Sequence, residues 1–103
     1  MSNDEFDHIS YLNDLCEQLN NSFEQPGSDP SLSAELDDIY LHVYNQGQEY
    51  LIHWHDVNKQ VWVASPKSGA HHFQKSSNQK LCSTRDPALI LEELLEEELD
   101  ISL

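Results

Sequence analysis

An apolar residue at every second position, on both sides of a tight turn, constrains this chain more than any other feature. Residues 39–45 and 49–56 alternate in this way, and Gln46-Gly47 stands between them. A two-residue hairpin loop leaves one register, with Tyr44 opposite Glu49, His42 opposite Leu51, Tyr40 opposite His53 and Asp38 opposite His55. One face of the hairpin then holds Ile39, Leu41, Val43, Tyr50, Ile52 and Trp54 and is the core side. The other face gathers Asp38, Tyr40, His42, His53 and His55.

More strands flank the hairpin. Residues 32–37 read as a short first strand, and residues 60–65 alternate with Val61, Val63 and Ser65 on the core side. Gln60, Trp62 and Ala64 take the other side, and Pro66 and Gly69 end the run. The pattern leaves two readings of Trp62 open. It is an indole on a wet sheet face, which marks a contact surface, or it is covered by a second layer and is ordinary core. Residues 70–75 and 80–85 form a further hairpin through Ser76-Ser77-Asn78-Gln79. His71 and His72 are adjacent on a strand, point to opposite faces and cannot easily chelate one ion.

Helical spacing appears only at the two ends. Ile9, Leu12, Leu15, Cys16, Leu19 and Phe23 make one apolar stripe, opened by Asp4 and Glu5, and Asn20, Asn21 and Gln25-Pro26-Gly27 end it. Near the C-terminus Asp86 is expected to cap a helix with Pro87 at its first position. There Ile90, Leu91, Leu94, Leu95 and Leu99 are buried, and Glu92, Glu93, Glu96 and Glu97 point outward. Glu96 to Glu98 oppose the helix dipole, so the last turn is expected to fray, and Ile101 and Leu103 to tuck between the helices. Tight hairpins force antiparallel neighbours, and two amphipathic helices need an apolar surface. The expected fold is α+β, a two-layer helix-sheet sandwich with both helices on one face of a five- to six-stranded antiparallel sheet. Its 103 residues suffice for a single domain.

Charge narrows the choice of partner. The formal net charge is -14, and all five Lys and Arg lie between residues 59 and 85. Nucleic acid and anionic membrane surfaces are disfavoured, and basic proteins or metal cations are favoured. On the first helix Asp7, Asp14, Glu17 and Glu24 form a stripe with no basic residue to pair with, and Glu35, Asp37 and Asp38 carry the series to the sheet edge. Hard carboxylate oxygens on one edge suit Fe(II), Mn(II) or Ca(II), in a weak and promiscuous site. The same field steers a basic protein into contact. A solvated face with no partner is the plainest reading of composition alone. On the hairpin's outer face His42, His53 and His55 form a second candidate patch for a transition metal, against the commoner reading of a polar solvent face. Cys16 and Cys82 are isolated and fit a reduced compartment. There is no nucleophile elbow, phosphate loop or zinc spacing, so the sequence points away from an enzyme.

The run Asn58-Lys59-Gln60-Val61-Trp62-Val63-Ala64-Ser65-Pro66-Lys67-Ser68-Gly69, followed by Ala70-His71-His72-Phe73, closely resembles the central signature of the frataxin family, including its bacterial, CyaY-type members. The order of elements is similar over nearly the whole chain. The resemblance implies a cytoplasmic iron-binding protein that regulates, or supplies iron for, iron-sulfur cluster assembly. It implies docking on the cysteine desulfurase and its scaffold, and a monomer in the absence of metal. Carried over by position, the weak iron ligands (Fe2+/Fe3+ or another divalent cation) are Asp14, Glu17, Glu24, Asp29, Glu35, Asp37 and Asp38. The docking residues are Asn58, Gln60 and Trp62. The chain departs from the pattern at Asn20, Asn21 and Gln25, where family members usually carry more acids. A ferroxidase or iron-storage activity, and an acidic interaction module unrelated to iron, are the alternatives.

Overall fold

The structure, a computed structural model, describes residues 7–25, 31–76 and 80–103. Helix α1 (His8–Phe23) is followed by strands β1 (Ser33–Asp37), β2 (Tyr40–Asn45), β3 (Gln48–His55), β4 (Gln60–Ser65), β5 (Gly69–Lys75) and β6 (Leu81–Ser83), and then by helix α2 (Leu91–Leu99). The strands form one antiparallel sheet in the order β1-β2-β3-β4-β5-β6, with both helices packed on one of its faces. The expected sandwich is therefore the observed one.

The central hairpin has the expected register, with Tyr44 opposite Glu49, His42 opposite Leu51 and Tyr40 opposite His53. Gln46 and Gly47 both take positive φ, 53° and 81°, the type I′ geometry whose twist matches that of paired strands. Asp38 does not reach His55. It lies in the turn between β1 and β2 with φ 58°, because Asp37 already pairs with Tyr40 and closes the hairpin one residue earlier.

Alternation sorts the side chains as expected. Leu41, Val43, Tyr50, Ile52, Trp54, Val61, Val63 and Phe73 are buried beneath Leu12, Leu15 and Leu19 of α1 and Leu91, Leu94, Leu95 and Leu99 of α2. Ile101 and Leu103 are partly buried against this core, and Ser22 of α1 donates to the Ser102 carbonyl at 2.7 Å. Ile9 leaves the apolar stripe and is 57% exposed, one turn beyond the last core contact of α1.

Both helix starts differ from expectation. Asp4 and Glu5 lie outside the described residues, as do Pro26, Gly27, Asp29 and the Ser77-Asn78-Gln79 part of the last hairpin. The N-cap of α1 is Asp7, whose carboxylate accepts from the Ser10 backbone at 3.0 Å and from its hydroxyl at 2.9 Å. These bonds to Ser10 lower the Asp7 pKa. Asp86 and Pro87 do not open α2. They form a turn in which Asp86 accepts from Ala88 and Leu89, and the chain then runs extended through Ile90, which bridges to Cys82. The bridge extends the edge of β6, so the helix begins only at Leu91.

Polar contacts bind the two layers together. Asn20 of α1 forms a reciprocal pair with the backbone of Ala34, donating to its carbonyl at 3.1 Å and accepting from its N–H at 3.2 Å. β1 is an edge strand, so these bonds occupy groups that would otherwise invite another strand. Tyr11 donates to Glu92 at 2.7 Å across the helix pair, so Glu92 is half-buried rather than outward. Glu96 likewise turns back to accept from the Leu103 N–H at 2.8 Å.

The end of α2 is held, not frayed. Glu98 accepts from Tyr50 at 2.9 Å, from Ser65 at 2.5 Å and from Ser68, while Lys67 donates to the Glu98 carbonyl at 2.6 Å. Three hydroxyls and an ammonium from the sheet side outweigh the unfavourable dipole.

Candidate functional site

Strand β4 runs down the middle of the uncovered face, where its register decides what meets Trp62. His53 of β3 and His72 of β5 are its direct partners, and Gln60 pairs with His55 and Gln74. The indole stacks on His55 at 3.7 Å and 7° on the β3 side, and on His72 at 4.3 Å and 14° on the β5 side. His53 meets it edge-on at 5.9 Å and itself stacks on Tyr40 at 5.4 Å. Trp62 is half-buried, its cover coming from flanking imidazoles in the same layer and not from a second layer. Of the two readings of Trp62, the sheet-face one describes it.

Hydrogen bonds orient the same group. Trp62 Nε1 donates to Gln60 Oε1 at 2.8 Å, and the Asn58 backbone N–H donates to His55 Nδ1 at 3.4 Å. With Nδ1 as acceptor, the neutral His55 ring carries its proton on Nε2. Burial, and secondarily the neighbouring His55, lowers the pKa of His53.

Two of the acids share this face. Glu35 pairs with His42 and Asp37 with Tyr40, so alternation places Glu35 and Asp37 on the same sheet face as the imidazoles, with Asp38 in the adjoining turn. Asp14, Glu17 and Glu24 are exposed on or at the end of α1, which Asn20 ties to β1. Helix and strand are close enough for the Glu35 charge to add to the effect of burial in raising the pKa of the Cys16 thiol. No Lys or Arg occupies an outward position in the described strands, and Lys59, in the β3–β4 turn, pairs with Asp56 at 3.0 Å.

His42 contacts Glu49 through Nδ1, while His53 and His55 pack about Trp62. Among the described residues no three His, Cys, Asp or Glu side chains are placed to hold one metal ion, and this includes the histidine patch. Asp14, Glu17, Glu24, Glu35, Asp37 and Asp38 are each exposed. Asp29 belongs to the undescribed segment.

Two features of the structure carry little signal in the sequence. The first is the meeting of His72 with Trp62, which alternation does not give and which follows only from counting back from the Ser65–Gly69 pair across the Pro66 turn. The second is Glu98, expected to oppose the dipole of a fraying last turn but held by Tyr50, Ser65 and Ser68. Only the lone polar Ser65 on an otherwise apolar strand face hinted at a partner there.

A two-layer α+β sandwich with a pair of helices on one face and an aromatic-amide row on the open face defines a small acidic protein of the frataxin architecture. The chain belongs to the frataxin-like family, whose model, described as a frataxin-like domain, matches residues 1–103. Among solved structures it is similar to trimeric frataxin from the yeast Saccharomyces cerevisiae, with full-length N-terminus. The two share 27% identity at a TM-score of 0.78, over 97% of this chain and 81% of that one. No curated protein matches the chain. The family is in general iron-related and linked to iron-sulfur cluster assembly. No described helix is long and apolar enough to cross a membrane.

Proposed function

We propose that this protein is a cytoplasmic iron-binding regulator or iron donor for iron-sulfur cluster assembly. It acts as a monomer in the absence of metal and docks on the cysteine desulfurase and its scaffold. The observation that carries this reading is the outer sheet face itself. It combines Trp62, Gln60 and nearby Asn58 with Glu35 and Asp37, and has no Lys or Arg among its described strand positions. Such a surface attracts a basic partner and offers it an aromatic-amide anchor. The family's general link to iron-sulfur cluster assembly supports the desulfurase and its scaffold as that partner.

Iron enters as cargo. Asp14, Glu17, Glu24, Glu35, Asp37 and Asp38, all exposed, and Asp29 from the undescribed segment provide hard oxygen ligands for a weakly held Fe2+ or other divalent cation. Replacing Trp62 with Arg is expected to weaken binding to the desulfurase-scaffold complex in a pull-down while leaving the melting temperature within a few degrees. Full binding by this variant would refute the docking role. Reversing Asp14, Glu17 and Glu24 to Lys is expected to weaken the same binding and flatten its dependence on salt. During titration with Co(II), amides from residue 14 to residue 38 are expected to broaden, and an unbroadened spectrum would remove the cation from the proposal.

A further inference from the structure

The three residues proposed to dock share one neighbour. His55 accepts the Asn58 N–H at Nδ1, pairs across the strands with Gln60, and lies flat against the Trp62 indole at 3.7 Å. Asn58 sits in the four-residue turn 56–59, where Lys59 takes a φ of 55°. A bond from its backbone to a strand side chain fixes the turn relative to the sheet. Gln60 is in turn oriented by the indole N–H. Removing the His55 ring would release the turn at one end and one face of the indole at the other.

We infer that His55 is the positioning residue of this docking surface, and that it presents Trp62 to a partner by its edge and not by its face. The inference rests on the docking role proposed above and deepens it. With His55 on one side and His72 on the other, both indole faces are occupied within the protein. A guanidinium or ammonium from the partner therefore cannot use the indole face, where cation–π attraction is strongest. The indole edge carries the positive side of the ring quadrupole and suits apolar groups or carbonyl oxygens. Partner cations are left to the carboxylates of Glu35 and Asp37 on the same sheet face. The surface thus divides the work, with attraction at the acidic side and shape recognition at the fixed indole edge and the Asn58 turn.

The test uses His55→Ala and His55→Phe in the full chain, followed by 1H–15N spectra of the free protein and by affinity for the desulfurase-scaffold complex. The Ala variant is expected to shift the Trp62 indole and Asn58 amide resonances while those of Val61 and Val63 stay in place, showing that the fold is intact. Its affinity should fall roughly tenfold. The Phe variant restores a flat ring without an acceptor. It should bring the Trp62 resonance back toward the wild-type position, leave that of Asn58 shifted, and recover part of the affinity. A purely structural role would not separate the two resonances in this way. The inference is overturned if the Ala variant moves neither resonance, or moves both and binds like wild type. Wild-type protein that fails to bind the complex at all would refute the partner assignment instead. The resonances would then decide alone whether His55 sets the turn and the indole.

Discussion

Glu98→Ala tests the joint between the two layers. The carboxylate takes hydrogen bonds from Tyr50, Ser65 and Ser68, and Tyr50 is fully buried. Hydrogen bonds to a charged acceptor are worth about 1.5–3 kcal/mol each when dry. Glu98 is half-exposed, and solvent around it brings each bond closer to about 1 kcal/mol. The substitution should then cost about 2–3 kcal/mol, a large part of the roughly 5–15 kcal/mol typical of a domain. For a chain of this length that is a fall of roughly 10–20 °C in melting temperature.

The same site carries a pH signature. Burial alone would raise the Glu98 pKa, but the bonds from Ser65, Ser68 and Tyr50 outweigh it and hold the carboxyl below the ordinary glutamate value of 4.5. A group whose folded pKa lies below its unfolded one stabilises fully above the unfolded value, and that stability is lost as pH falls through the folded value. The stability gap between wild type and Glu98→Gln should therefore be constant near neutrality and close in acid below 4.5. Differential scanning fluorimetry across pH, backed by urea unfolding, measures both effects. An Ala variant melting within about 3 °C of wild type, or a Gln gap that persists into acid, would refute the reasoning.

Asn20→Ala removes both bonds to the Ala34 backbone and should lower the unfolding free energy by about 1–2 kcal/mol in urea titration. It should also increase self-association, read by light scattering, because the β1 edge is then open. Tyr11→Phe deletes the contact with Glu92 and should cost about 1 kcal/mol. Burial, then the Glu92 charge, pushes the Tyr11 phenol pKa up, so the wild-type phenol absorbance should titrate only at strongly alkaline pH or on unfolding.

The sheet was legible because its turns are short. Gln46-Gly47 determined which residues of β2 and β3 face each other, and alternation then sorted inner from outer side chains without any knowledge of the helices. Position along the sequence was less informative where a side chain competes for a backbone group. Asp86-Pro87 reads as a helix start on local preference, yet it forms a turn instead, and the Ile90 bridge to Cys82 keeps the chain extended up to Leu91. Asp38 fell into a turn because pairing stopped at Asp37. The hold on Glu98 is not written in its own helix, since its three hydroxyl partners lie thirty or more positions upstream, on or just after strands β3 and β4. The candidate site divides the same way. Trp62 and Gln60 share a face by simple alternation, whereas the part played by His55 depends on a bond to a turn backbone that no periodicity encodes.

The order of strands in the sheet has a consequence for biosynthesis. Because each strand lies beside its neighbour in the chain, the sheet can be laid down hairpin by hairpin with little loop entropy to overcome. Helix α2 is made after all six strands. A nascent chain that has not yet released Leu91–Leu99 carries a nearly finished sheet with part of its oily side uncovered. Until α2 docks, that oily side invites aggregation, and a released chain truncated after residue 90 is expected to aggregate more readily than the whole one.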